Sequence, residues 1–322
     1  MQQQSTAGPS PEAFSGSSFG ARARRAFFAM RPKFFTASIL PVIVGTALGA
    51  VAVGAVDWVP ALLAILATVI VHAAANVLND VGDDISGADA PNTGRIYPYT
   101  GGSRFIQAGI LSRAQMNRLG LSLLAVAFVL GLGLAAIAGP MVMWLGLAGM
   151  AIGVLYSLPR IYLSGKGLGE LAVFIAFGPL PVCGAAWLQD GVWDLGRLLI
   201  SLPVGMWTAA ILLINEVPDL ESDAAAGKRT LVVRFGVDGT RISYIVMSAI
   251  GLAGTLAAVA FGALPLWFTA AAIVLFGLSV KAGLGIASVG EHRAQLQKSI
   301  ELTLAIQAIG SLALLATIAL AR

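Results

Sequence analysis

Apolar runs long enough to cross a bilayer recur throughout this sequence, at 34–55, 58–79, 117–138, 140–157, 169–189, 197–215, 242–262, 264–286 and 301–321. A hydrocarbon core of about 30 Å takes about 20 residues of helix at about 1.5 Å per residue. Lipid offers no partner to backbone N–H and C=O groups, so each run must satisfy its own hydrogen bonds as a helix. The runs therefore predict an all-α chain, a polytopic membrane bundle of nine transmembrane helices. With 57% hydrophobic and only 11% charged residues over 322 positions, a water-soluble fold is excluded. Residues 1–25 lack an apolar core and are rich in Ser, Gly, Gln and Ala, which predicts a disordered cytoplasmic tail ahead of one domain at 26–322.

Charge placement sets the orientation. If the amino terminus is cytoplasmic, eighteen of the twenty Lys and Arg face the cytoplasm, and only Arg197 and Arg322 fall on the other side. Trp58, Trp144, Trp187, Trp193 and Trp267 gather at the opposite helix ends, where an interfacial aromatic belt belongs. The basic residues thus have a topological explanation and do not imply a nucleic-acid partner. The single Cys183 lies in an apolar run, which excludes a disulfide framework and a thiolate metal cage and reads as packing.

Eight of the sixteen acidic residues fall in two clusters, Asp80, Asp83, Asp84 and Asp89, then Glu216, Asp219, Glu221 and Asp223. Both sit on the face that the charge count makes cytoplasmic. Each is headed by asparagine with one spacing, Asn76-x3-Asp80-x3-Asp84 and Asn215-x3-Asp219-x3-Asp223. A four-residue step advances a helix face by about 40° and the axis by about 6 Å, so each triplet forms a row. Carboxylates crowded at a membrane boundary repel one another, and a bound divalent cation relieves that repulsion. Oxygen-only ligands select a hard ion, Mg2+, which joins a few carboxylates to phosphate oxygens. Asp83 competes with Asp84 for the third place in the first row, because Asp80-x2-Asp83 is also present. The plain alternative is that Asn and Asp merely cap helix ends, but two matched rows on one face argue against it. Pro218 within the second row predicts a kink or short break.

A departing diphosphate also needs cations from the protein. Arg95, Arg104, Arg160, Lys166, Lys228 and Arg229 all follow the acidic rows or helix 4. Arg104 ends Gly101-Gly102-Ser103-Arg104, where glycines let backbone amides approach an anion. Tyr156 and Arg160 stand four apart, on one helical face if the helix continues through Pro159. His72 reads as a packed helix residue, Glu170 as a helix N-terminal acid or an orienting group, and the helix glycines as sites of close packing.

These residues together resemble the UbiA superfamily of intramembrane prenyltransferases over about residues 30 to 320. Arg31-Pro32, Gly87-Ala88-Asp89, Gly101 to Arg104, Gly165 to Glu170 and Gly227-Lys228-Arg229-Thr230 resemble its menaquinone branch, which prenylates 1,4-dihydroxy-2-naphthoate. The resemblance implies a helical bundle with a central cavity and a cytoplasmic loop cap. It also implies Asp80, Asp84, Asp219 and Asp223 as ligands of two Mg2+ ions on the donor diphosphate, assisted by Asn76 and Asn215. Tyr156 and Arg160 resemble a Tyr-x3-basic element near the allylic diphosphate. The implied substrates are a polyprenyl diphosphate and an aromatic acceptor, in a bacterial plasma membrane. Other acceptors of the family, such as 4-hydroxybenzoate and homogentisate, remain alternatives, and cation-coupled transport is the rival from another class.

Overall fold

The computed structural model describes residues 8–88, 92–158 and 161–320, with no strand among them. Its helices are α1 (Phe19–Ala29), α2 (Thr36–Val53), α3 (Trp58–Ser86), α4 (Arg113–Ala138), α5 (Met141–Ser157) and α6 (Gly169–Phe177). They continue as α7 (Pro179–Asp190), α8 (Leu195–Asn215), the short α9 (Leu220–Ala225), α10 (Leu231–Ala260), α11 (Phe268–Leu284) and α12 (Val289–Leu320). Seven helical stretches among the described residues are long and apolar enough to cross a membrane, and the chain is an integral membrane protein. The apolar α5 and α11, at 17 residues each, are shorter. The nine runs read from the sequence divide into these two groups.

One run proves to be two helices. The stretch 169–189 breaks at Gly178 (φ −117°, ψ −96°) between α6 and α7, just before Pro179. A Cβ on Gly178 would lie 2.6 Å from Gly205 Cα in α8, so the break is where two backbones touch. Proline at the first position of α7 costs nothing there, because that N–H has no partner inside the helix.

The bundle is held by long pairings of α3 with α4, α2 with α7, and α8 with α10, and α12 closes the ring against α2 and α8. Trp207, the one mid-helix tryptophan, is buried in the main core and packs flat against Gly310, where a Cβ would come within 2.5 Å of its ring. Away from the acidic rows, Arg197 is buried between Asp190 and Asp194 and clamps the α7–α8 connection. The stacked rings of Trp187 and Trp193, 6.3 Å apart, lie in the same region.

From residue 8 onward the amino-terminal segment is folded where a disordered tail is expected. Ser18 caps α1, and Phe14 packs edge-on against Phe28 and Phe105, with ring centroids at 5.6 and 4.9 Å. Arg25 donates to the carbonyls of Phe14 and Gly16, 2.8 Å each. Three scattered aromatics, too sparse to register as an apolar run, give this segment a surface to fold on.

Candidate active site

The first acidic row is the last three turns of α3. At about 100° per residue, seven steps from Asn76 end about 20° short of its direction, and eight steps end about 80° past it. Asp83 accordingly lines the central cavity beside Asn76, while Asp84 turns away to pair with Arg113 (2.5 Å) and Gln107 (3.3 Å). The structure thus brings Asp83, and not Asp84, to the cavity. Asp80 is buried just behind it, with Oδ2 accepting from the Ser103 N–H at 3.0 Å and Oδ1 without a protein partner. Asn76 donates to the Met30 carbonyl at 3.1 Å, tying α3 to the end of α1.

The second row does not continue as one helix. After Asn215 the chain tightens into a 3-10 turn, Val217–Asp219, around Pro218 and then re-enters a helix at α9. The break expected at Pro218 is therefore present, and it leaves Asn215, Glu216, Asp219 and Asp223 all facing the cavity. Asn215 Oδ1 is buried without a partner.

Lys228 joins the two rows. Its Nζ lies 2.8 Å from Asp83 Oδ1 on α3 and 2.8 Å from Asp223 Oδ1 on α9. Burial alone would lower the lysine pKa, but the carboxylates of Asp83 and Asp223 outweigh it and hold the ammonium well above the ordinary lysine range. Tyr162 donates to the same Asp83 oxygen at 2.7 Å. Burial, and then the Asp83 charge, push its phenol up, so it stays a donor.

A loop straps across both rows. The Gly101 N–H donates to Asp219 Oδ2 (3.3 Å), the Asn92 side chain to Asp219 Oδ1 (2.6 Å), and the Ser103 N–H to Asp80. Gly101 has φ +73°, and a Cβ there would lie 2.9 Å from Arg95 Cβ, so only glycine suits this turn. The glycines thus do bring backbone amides to acidic groups, but to the protein's own carboxylates. Arg104 (φ +63°) leads the chain away and is not part of the cavity lining. Lys166 is exposed, outside the lining, in a 3-10 turn whose carbonyl accepts from Arg234 at 2.7 Å. Arg160 and Asp89 lie outside the described residues.

Beneath the rows the cavity, of about 350 Å3, becomes apolar. Ala64 and Asp83, near opposite ends of α3, both line it, so it runs for roughly 28 Å along the helix. Tyr156, at the end of α5, lines it below the rows. Gly146, Gly149 and Gly153 share one face of α5 and also line it. Close packing, expected of the helix glycines, does not account for Gly146, since a Cβ there would meet nothing within 4 Å. Phe128 of α4 (40% exposed) and Leu147 of α5 (38% exposed) line the cavity and also face outwards, so it opens to the membrane between these helices. His72 packs in the wall, with Ser38 Oγ 2.5 Å from Nδ1 and its ring edge-on to Phe177.

The donor set suits a hard cation. Asp80 Oδ1 and Asn215 Oδ1 are buried oxygens without partners, and Asn76, Asp83, Asp219 and Asp223 on the cavity supply further oxygen. No three His, Cys, Asp or Glu side chains among the described residues form a closed cage. Mg2+ asks for no cage, since it completes its six positions with phosphate oxygens and water.

The UbiA prenyltransferase family model matches residues 38–297, which contain both rows, the strap and Lys228. The chain belongs to the UbiA prenyltransferase family. It is 32% identical to the 1,4-dihydroxy-2-naphthoate octaprenyltransferase of Escherichia coli (strain K12), across 64% of this chain and 67% of that one. It is likewise 32% identical to the protein of that description from Mycobacterium tuberculosis, across 73% of this chain and 77% of the other. In fold it is similar to a UbiA homolog from Archaeoglobus fulgidus solved bound to DMAPP and Mg2+, with TM-score 0.61 and 17% identity over 88% of this chain and 99% of that one.

Within this UbiA site, the sequence did not reveal Asn92 or Tyr162, and it gave Glu216 only as a member of the second acidic cluster, outside the repeated spacing. Asn92 and Asp219 are far apart in the chain, and only the fold joins them. Glu216 follows Asn215 directly inside the row, and its buried carboxyl, like that of Glu170, keeps one oxygen without a hydrogen-bond partner. The available signal for Glu216 was its burial-prone position directly after an apolar run.

Proposed function

We propose that this protein transfers a polyprenyl group from a polyprenyl diphosphate to 1,4-dihydroxy-2-naphthoate, with loss of CO2, in menaquinone biosynthesis. The observation that carries the reading is the convergence of two acidic rows on one ammonium at the polar end of an apolar cavity. The names of the E. coli and M. tuberculosis relatives support the acceptor.

Asp80, Asp83, Asp219 and Asp223, with Asn76 and Asn215, would hold Mg2+, which neutralises charge on the diphosphate. Lys228 faces the leaving group and stabilises the negative charge that grows there. The bond between the allylic carbon and the diphosphate oxygen breaks, and its electron pair leaves with the diphosphate. The electron-rich acceptor ring supplies the pair for the new C–C bond at the carboxylated carbon, and release of CO2 restores aromaticity. Below the rows, α3, α5 and α8 hold the isoprenoid and keep water from the electron-poor carbon. Tyr156 stands in that wall with its phenol beside the reacting end. The protein sits in a bacterial plasma membrane with its amino terminus and acidic rows cytoplasmic and its carboxyl terminus opposite, an orientation supported by the distribution of Lys and Arg.

The test is mass spectrometry of purified protein in lipid with Mg2+, a polyprenyl diphosphate and separate aromatic acceptors. Prenylated naphthoquinol formed with CO2 loss, and absent with Asp83→Ala and Asp219→Ala, is the expected result. Product from 4-hydroxybenzoate alone would correct the acceptor, and no product from any acceptor in folded protein would end the prenyl-transfer reading.

A further inference from the structure

We propose that Lys228 makes binding of a divalent cation conditional on a diphosphate: its ammonium occupies Asp83 and Asp223 until an anion draws it away. The inference rests on the prenyl-transfer reading and adds an order of events to it. Asp83 and Asp223 belong to different rows, and the only group joining them among the described residues is the Lys228 ammonium, 2.8 Å from each. All three side chains are largely buried, at 15%, 8% and 8% exposure, so their charges are little screened by solvent.

A divalent cation bridging those two oxygens meets a positive charge already in place, and like charges at contact in a buried site repel strongly. A diphosphate reverses the preference. Its oxygens compete for the ammonium, and lysine, a compact charge on a flexible stem with three donors, can swing to them. The vacated oxygens are then free for the cation. Asp83 keeps one partner throughout, since the Tyr162 hydroxyl donates to it at 2.7 Å and fixes its orientation. The Lys228 ammonium also lies 5.7 Å from the centre of the Tyr162 ring, whose face offers it a second favourable surface during the exchange. Asp80 Oδ1 and Asn215 Oδ1, buried and unpartnered, are not held by the lysine and add to the cation's ligands once Asp83 and Asp223 are released. Cation and diphosphate therefore bind with positive coupling, and by linkage each tightens the other equally. Phosphate oxygens that ligate the cation add coupling of their own, so the mark of the lysine is the weak binding of the cation alone, which a lysine acting only as a strut between α3 and α9 would not produce.

The test uses the full-length protein in detergent, with Mn2+ as probe and protein-bound metal separated from free metal on spin columns and counted by electron paramagnetic resonance. Wild type should bind Mn2+ weakly alone and at least about tenfold more tightly with inorganic pyrophosphate. Lys228→Met should bind Mn2+ alone at least about tenfold more tightly than wild type, while Lys228→Arg stays close to wild type. Equal Mn2+ binding by wild type with and without pyrophosphate would overturn the proposal, and this arm needs no variant to fold. Lys228→Met binding no tighter than wild type, in protein with an unchanged unfolding profile, would overturn it too. Conditional Mn2+ binding by a protein that yields no prenylated product would leave this proposal standing while sinking the reaction it was built on.

Discussion

Asp83 and Asp84 are neighbours with opposite surroundings, and their substitution should separate cavity chemistry from surface pairing. Asp83→Asn removes a carboxylate that faces the cavity and holds Lys228, so kcat should fall at least about 100-fold, the scale of losing a charge aimed at the reacting group. Asp84→Asn breaks a pair with Arg113, which is 56% exposed, a contact worth about 1 kcal/mol or less, so kcat should change by less than about fivefold. Steady-state kinetics on the two variants decides the matter, and equal losses would return Asp84 to the site. The choice was present in the sequence, since helical geometry puts the seventh residue from Asn76 closer to its direction than the eighth. Regular four-residue spacing concealed it by favouring the eighth. Asn92 was not legible at all, because no local pattern links it to Asp219.

At the level of elements, α5 and the α6–α7 break carry different constraints on glycine. Gly146→Phe adds a Cβ that meets nothing within 4 Å on a face that lines the cavity, so the fold should survive while the ring narrows the cavity. Turnover of long prenyl diphosphates should then drop roughly tenfold or more relative to short ones, as measured by competing donors in one reaction. Gly178→Ala drives a methyl group to within 2.6 Å of Gly205 Cα, so α7 and α8 must separate, at a cost of about 1–3 kcal/mol. A lowered thermal midpoint in detergent is the expected sign, and an unchanged one would show that the contact yields freely. The apolar runs were legible as helices because lipid leaves the backbone no alternative. The break at Gly178 was not, because both halves are equally apolar and the cause lies in another helix. The turn at Pro218 was legible, since proline carries its own reason for interrupting a helix. The folded amino-terminal segment escaped notice because its few aromatics find partners only once α1 is docked.

Across the whole molecule, the proposed orientation rests on the asymmetry of Lys and Arg, and labelling tests it. In a Cys183→Ala background, a membrane-impermeant maleimide should label Val192→Cys, an exposed position, from outside intact cells. Ser288→Cys, exposed at the acidic end, should be labelled only after permeabilisation, and the reverse pattern would invert the topology. The all-α bundle was readable from hydropathy, whereas the cavity came only with the family resemblance, since its walls come from helices whose packing no run of residues specifies. The opening between α4 and α5, flanked by Phe128 and Leu147, bears on how the protein meets its substrate. A donor that arrives sideways is delivered by two-dimensional diffusion, so the quantity that saturates the protein is the number of donor molecules per unit of membrane area. Adding inert lipid at a fixed total amount of donor should slow turnover in proportion to the dilution of the surface, even though nothing dissolved in the water has changed.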